Sequence, residues 1–139
     1  MDIFDRQEGT TDALLSERLF RDDGVLSVEG DAAFWDRSTL YAFRGILRAG
    51  GSDRVYPFIR RYVTQQLRGA HVLYAVEVFQ EGDQLHLSAE SALFARMITE
   101  GLCGITPAEL HRLELRPAVP EALDWVTPGT SAPAGAALT

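Results

Sequence analysis

The chain of 139 residues has the length of one ordinary domain, and 46% hydrophobic against 24% charged residues excludes a disordered or membrane-embedded class. Its net charge of −7, with arginine as the only basic residue type besides histidine, argues against a broad nucleic-acid-binding face. No apolar run approaches the ~20 residues that a membrane helix needs, and the acidic N-terminus lacks the features of a signal peptide. We therefore expect a cytoplasmic protein with neither a nucleic-acid nor a membrane partner.

The first predicted elements are two helices separated by polar sequence. Residues 1–31 are acidic, weakly patterned and unassigned to a domain, although residues 12–20 can form a short helix. The next helix is predicted to begin at a cap supplied by Asp36 or Ser38 and to end at the two glycines that follow Ala49. The apolar residues that define this helix are Leu40, Phe43, Ile46 and Leu47.

The clearest periodicity in the chain belongs to the helix after these glycines. Its apolar residues recur with a period of 3.6 and form one wide stripe, which comprises Val55, Phe58, Ile59, Tyr62, Val63 and Leu67. Pro57 predicts that the regular helix starts near Tyr56, and Gly69 ends it. Because the intervening turn is short, the two helices are predicted to pack antiparallel as a hairpin.

Extended segments and a third helix complete the predicted chain. Residues 72–79 are almost all apolar, as in a segment that is buried on both sides. Ser88 caps a helix that closes at Gly101, and a turn is predicted at residues 104–107. Alternating apolar positions indicate one short strand or extended piece in residues 113–119, and residues 126–139 are expected to be disordered. The lone Cys103 is interpreted as a small buried hydrophobic residue.

Glu77 is the charged residue in the apolar run 72–79. Burial of a carboxylate costs free energy unless it is paired, and burial raises its pKa towards the range of a general acid. An edge-strand glutamate that faces water is the alternative. His86 and Glu90 lie close enough in the sequence to suggest a metal pair, but no second ligand pair accompanies them. We predict neither a metal nor a cofactor.

The order of segments from about residue 32 to residue 125 resembles the end of the catalytic barrel in the six-hairpin glycosidases. That superfamily includes α-L-rhamnosidases, processing α-glucosidases, trehalases and the cellobiose and maltose phosphorylases. The resemblance is carried by Phe34-Trp35-Asp36-Arg37, His86-Leu87-Ser88-Ala89-Glu90-Ser91-Ala92, Glu100-Gly101-Leu102-Cys103-Gly104-Ile105-Thr106-Pro107, Leu113-Glu114-Leu115-Arg116-Pro117-Ala118-Val119-Pro120 and Trp125. It implies a mainly α fold: a partial (α/α)6 toroid made of a helical hairpin, a loop and a third helix, with a short C-terminal extended segment. Residues 32–105 correspond to the end of the barrel, and residues 106–125 to the start of a β-sandwich-like segment.

The resemblance also implies a function in the hydrolysis or phosphorolysis of glycosidic bonds. Glu77 is the candidate catalytic residue and Glu81 its rival, because Gln80-Glu81 replaces the Asn/Asp-Pro of the family and the following aromatic residue is displaced by one position. The candidate sugar-binding residues are Trp35, Tyr74 and His86, and packing in the core is the alternative for the two aromatic residues. Since the partner carboxyl lies in an earlier barrel hairpin, we expect a fragment or subunit that is inactive alone and that associates with the rest of a barrel or with itself. A non-catalytic helical interaction module is the alternative.

Overall fold

The computed structural model describes residues 6–21, 24–30, 34–68, 78–79 and 88–124. The helices in these ranges are α1 (Gln7–Leu14), α2 (Asp36–Arg48), α3 (Ser52–Arg68) and α4 (Ser88–Arg96). A π-helical segment, Met97–Leu102, continues α4 directly. The strands are β1 (Phe20–Arg21), β2 (Gly24–Val25), β3 (Phe34–Trp35), β4 (Val78–Phe79), β5 (Ile105–Glu109) and β6 (Arg112–Leu115).

Helix α2 confirms the predicted apolar face, which is buried along the whole helix. The helix ends at Arg48 with Ala49 as its C-cap, and Gly50 follows with a φ of 81°, in the left-handed region that glycine adopts without steric cost. The predicted cap at Asp36 or Ser38 is wrong. Trp35 holds the capping position in an extended conformation without a side-chain hydrogen bond, and Asp36 lies in the first helical turn, where it is buried.

Helix α3 begins at Ser52, one turn earlier than predicted, and Pro57 lies inside it. A proline beyond the first turn removes one backbone hydrogen bond. The helix nevertheless continues through Pro57, because Val55 and Ile59 on either side of it are buried in the core. Burial of two such side chains outweighs the loss of one hydrogen bond.

The hydrophobic core centres on α2. The ring of Phe43 lies 5.9 Å from that of Phe20 and 5.8 Å, edge to face, from that of Tyr62 on α3. On another side Leu93 of α4 and Met97 of the π-helical segment join the same cluster. The interior is therefore formed by α2, the neighbouring α3 and the more distant α4 with its π-helical continuation, with the hairpin β1–β2 against them.

The C-terminal part of the described chain is a β-hairpin rather than one extended piece. Strand β5 occupies most of the predicted turn at residues 104–107, and it pairs with β6 in antiparallel register, Ile105 opposite Leu115 and Pro107 opposite Leu113. Arg116 donates its backbone N–H to Gly104 O, so residues 104 and 116 form a hydrogen-bonded pair. Hydrogen-bonded and non-hydrogen-bonded pairs alternate along an antiparallel ladder, so Pro107 and Leu113 form a non-hydrogen-bonded pair. The nitrogen of Pro107 therefore points away from β6. Pro107 is tolerated in the strand for this reason.

The predicted mainly α fold, a partial (α/α)6 toroid, is wrong. Three two-stranded antiparallel sheets, β1–β2, β3–β4 and β5–β6, accompany the helices, so the content is mixed α and β. The early helix is also displaced, since α1 spans Gln7–Leu14 and not residues 12–20. Short strands separated by glycines and charged turns have too little periodicity to be recognised in the sequence.

The expectations for Cys103, the apolar run 72–79 and residues 126–139 concern residues that the structure describes to different extents. Cys103 is buried, as predicted. Most of the apolar run 72–79 and the whole of residues 126–139 lie outside the described ranges, and Val78–Phe79 is a strand. Among the helices that the structure describes, none has the length and apolar character to cross a membrane.

Candidate functional site

Of the predicted site residues, only Trp35 lies in the part of the chain that the structure describes. Glu77, Glu81, Tyr74 and His86 all fall outside it. Trp35 is half-buried, at the junction between β3 and α2. Its aromatic side chain therefore keeps part of its surface available to a ligand.

The neighbourhood of Trp35 is set by strand pairing. Trp35 pairs with Val78 and Phe34 with Phe79 in the antiparallel sheet β3–β4, and Phe34 also bridges to Leu26. Val78 is the neighbour of Glu77 in the sequence. The structure thus joins two segments that lie more than forty residues apart, one with a candidate sugar-binding residue and the other next to the candidate catalytic residue.

A second feature, hereafter called the cleft, lies between α1, the end of α2 and the segments that flank the hairpin β5–β6. Its volume is about 790 Å³, within the range of pockets that hold small molecules. The described residues that line it include the arginines Arg6, Arg48 and Arg116, the carboxylate Glu100, and the polar residues Gln7, Thr10, Ser52 and Thr106. Trp35 is not among its lining residues, and the described lining contains no aromatic ring.

The hairpin β5–β6 turns one face towards the cleft. Thr106 and Arg116 line the cleft, and Arg48 Nη1 of α2 lies 3.5 Å from Thr106 Oγ1. On the other side of the cleft Gln7 Nε2 donates a hydrogen bond of 2.7 Å to Ala49 O, which holds the start of α1 against the end of α2. Segments far apart in the sequence therefore position the polar groups of the cleft.

Glu100 is the described carboxylate of the cleft and is held by two arginines. Arg96 Nε donates to it at 2.6 Å within the same helical segment, and Arg44 Nε donates from α2 at 2.7 Å. The hydrogen bond from Arg96 and then that from Arg44 lower the pKa of the Glu100 carboxyl, against an opposing effect of burial. Glu100 is consequently ionised near neutral pH, and its charge is compensated by its own partners.

Reasoning from the sequence missed the cleft. Arg6, Arg48 and Arg116 are separated by dozens of residues, and no local spacing connects them. The signal available in the sequence was only that all positive charge, apart from histidine, is carried by arginine, the residue best suited to bind carboxylate and phosphate groups. In the described ranges no group of three His, Cys, Asp or Glu side chains is arranged to hold a metal ion.

Comparisons with known proteins give no relative. No family model matches the chain, and neither a curated protein nor a solved structure matches it significantly.

Proposed function

We propose that this chain is a fragment or subunit of a glycoside hydrolase-like, carbohydrate-active enzyme. The observation that supports the proposal best is the pairing of β3 with β4. It connects the half-buried Trp35 to Val78, the residue that follows Glu77. An aromatic ring can provide a face for a sugar and a carboxylate is the reacting group of a glycosidase, and these are the roles that the resemblance implies for Trp35 and Glu77.

The chemistry of glycosidic bonds requires a second carboxyl group. In inverting enzymes a general acid protonates the leaving oxygen while a base activates water, and the two carboxyls lie ~6.5–9.5 Å apart. Glu77 supplies one of them, with Glu81 as its rival. The other comes from the part of the enzyme that completes the site, so this chain alone binds sugar without hydrolysing it.

The order of elements at the C-terminal side gives further support. Helix α4 and its π-helical continuation lead through Gly104 directly into the hairpin β5–β6. The resemblance to six-hairpin glycosidases implies such a step from a final helix into β structure at these residues. The closing segment and the β3–β4 pairing support the proposal without a toroidal fold.

The test is a calorimetric titration of the purified chain with oligosaccharides that differ in sugar and linkage, together with an assay for their turnover. We expect binding of at least one sugar class without turnover. Trp35→Ala should weaken binding about tenfold or more, because loss of ~1.4 kcal/mol of contact changes affinity by that factor. Tyr41→Ala is the matched control, since Tyr41 is an aromatic residue of α2 that is exposed and lies outside the β3–β4 sheet. Turnover by the chain alone, or equal effects of both variants, contradicts the proposal.

The alternative is a non-catalytic interaction module, which was expected to bind through its helices, whereas the observation that favours an interaction lies on the hairpin β5–β6. Leu113 and Leu115 of β6 are 63% and 67% exposed. They lie opposite Pro107 and Ile105, so these four apolar residues share the face that is turned away from the cleft. A contiguous apolar face in water marks an interaction surface.

The partner that best fits this face is a second copy of the chain. The backbone N–H and C=O of Leu113 and Leu115 point away from β5, because the hydrogen-bonded pairs alternate from residues 104 and 116. In an antiparallel pairing of two β6 strands centred on Leu113, Arg112 of one copy lies opposite Glu114 of the other. Opposite charges at such positions stabilise the pair.

A further inference from the structure

The cleft carries positive charge in a protein whose net charge is −7. Three arginines line it, Arg6, Arg48 and Arg116, against the single described carboxylate of Glu100. Glu100 does not cancel this charge, because its oxygens are already bound by Arg44 and Arg96, of which neither lines the cleft. Arg116 is paired with Glu114 at 3.2 Å, which leaves Arg6 and Arg48 as the cleft arginines without an ion pair to a described residue. Among its described lining residues, the cleft therefore favours an anion.

The other polar groups of the cleft are those that recognise a hydroxylated ligand. Hydroxyls of Thr10, Ser52 and Thr106 line it, and hydroxyls both donate and accept hydrogen bonds. Among the described residues Arg48 makes one long contact, 3.5 Å to Thr106 Oγ1, so its guanidinium has donors left for a ligand. The volume of about 790 Å³ exceeds what a simple inorganic anion occupies and suits a monosaccharide or disaccharide.

We propose that the cleft is a binding site for an anionic sugar, one that carries a carboxylate or a phosphate group. The arginines bind the anionic group through charge-assisted hydrogen bonds, and the threonine and serine hydroxyls contact the sugar hydroxyls. Trp35 lies outside the cleft, so anion binding here does not depend on the carbohydrate site proposed at the β3–β4 sheet.

Two arginines of the hairpin provide a matched pair for the test. Arg112 and Arg116 flank Glu114 and both form an ion pair with it, at 3.8 Å and 3.2 Å respectively. Only Arg116 lines the cleft. A glutamine at either position removes the same charge and the ion pair with Glu114, and Arg112→Gln also removes the exposed pair with Glu109 at 3.3 Å. Because Glu109 does not line the cleft, weaker anion binding in Arg116→Gln but not in Arg112→Gln reports on the cleft.

The experiment titrates the full chain with glucuronate, glucose 6-phosphate and glucose by calorimetry at low salt. We expect at least one of the two anions to bind, and glucose to bind about tenfold more weakly or not at all. Which anion binds distinguishes carboxylate from phosphate recognition. Arg48→Gln and Arg116→Gln should each weaken anion binding about tenfold, whereas Arg112→Gln should change it less than about twofold. Added salt should weaken binding.

Three results would overturn the proposal: neither anion binds to the unaltered chain, glucose binds as tightly as the anions, or Arg112→Gln weakens binding as much as Arg116→Gln. Thermal unfolding of each variant shows whether it is folded. If Arg116→Gln fails to fold, comparing the anion binding of Arg48→Gln with that of Arg112→Gln tests the proposal in the same way. Tyr41→Ala, at an exposed residue outside the cleft, should leave anion binding unchanged. The losses in Arg48→Gln and Arg116→Gln separate this site from the proposed carbohydrate site, because Trp35 does not line the cleft.

Discussion

The helical core and the hairpin β5–β6 differ in how far their apolar side chains are buried. Phe43 of α2 is fully buried and Met97 of the π-helical segment lies beside it in the core cluster, whereas Leu113 and Leu115 of β6 are about two-thirds exposed. Both regions show regular apolar spacing in the sequence. The difference teaches that periodicity predicts an element and its apolar face, but not whether this chain supplies the partner for that face.

The largest expected effect lies in the core. Phe43→Ala should lower the free energy of unfolding by about 3–5 kcal/mol, because it leaves a cavity between Phe20 and Tyr62. Leu113→Ala in the hairpin should change it by less than about 0.5 kcal/mol, since the side chain is exposed in the single chain. Urea denaturation of both variants measures the contrast. Equal losses would show that the hairpin face is buried in solution.

The junction between the two regions is the next most sensitive position. Gly104 has a φ of 64°, and an added Cβ would lie 1.8 Å from Arg116 O. Gly104→Ala should therefore destabilise the protein by at least about 2 kcal/mol and displace the hairpin from the π-helical segment.

A second glycine serves as the control for Gly104. Gly45 lies inside α2 with no atom within 4 Å of an added Cβ, and Gly45→Ala should stabilise by roughly 0.5–1 kcal/mol. Thermal unfolding of both variants measures the two changes in stability. A neutral Gly104→Ala would contradict the close approach of the chain at this junction.

The pH dependence of stability should differ between the partly buried ion pairs of Glu100 and an exposed ion pair on the hairpin. The pKa of Glu100 is lowered in the folded protein, mainly by the hydrogen bond from Arg96 and then by that from Arg44. A lowered folded-state pKa contributes stability above the unfolded-state pKa, and this contribution is lost as the pH falls through the folded-state value. The free-energy difference between the unaltered chain and Glu100→Gln should thus shrink on acidification from about pH 7 to about pH 3.

Glu109 is the control for Glu100, because its pairing with Arg112 at 3.3 Å is exposed to solvent. Solvent screens such a pair, so Glu109→Gln should have little effect at either pH. Urea denaturation at both pH values measures the two differences. A Glu100→Gln difference that grows as the pH falls would contradict the sign of this linkage.

The smallest effect on unfolding, but a large one on association, is expected from the hairpin face itself. Leu113→Ser combined with Leu115→Ser should leave the unfolding of the single chain nearly unchanged and weaken self-association about tenfold or more. Sedimentation velocity over a concentration series measures it. Leu110→Ser is the control, because Leu110 is exposed in the turn between β5 and β6, outside the proposed strand pairing.

A charge exchange sharpens the test of the second copy as partner. Arg112→Glu places like charges opposite each other in the paired β6 strands and should abolish the dimer. Adding Glu114→Arg restores opposite charges across the proposed pairing and should restore association. A chain that remains monomeric at every concentration would contradict this partner.

The helices of the core were also easier to predict from the sequence than the hairpin β5–β6. Helix α2 was predictable because burial along one face imposes a 3.6-residue period, and the start of α4 was predicted from Ser88 as a capping residue. The start of α3 was not, since the cost of Pro57 had to be weighed against burial contributed by other segments. Strand β5 was read as a turn because Gly104 and Pro107 are usual in turns, and only its pairing with β6 shows that Pro107 lies on an edge.

The candidate sites also combine residues that the sequence indicates with contacts that only the fold creates. Trp35 was identified from the sequence, and its connection to Val78 came from strand pairing that no local pattern encodes. The cleft was unpredictable for the same reason, because its arginines come from the N-cap of α1, from α2 and from the end of the hairpin. Long-range contacts, and not local propensity, create both features.

The most direct test of the carbohydrate function observes Trp35 itself. The chain contains two tryptophans, so its indole N–H groups give two separate nitrogen-edited NMR signals, which Trp35→Phe assigns. During titration with oligosaccharides we predict that the Trp35 signal shifts in a saturable way with at least one sugar class. If no sugar moves it, or if only the signal of Trp125 responds, the carbohydrate site at the β3–β4 sheet is contradicted.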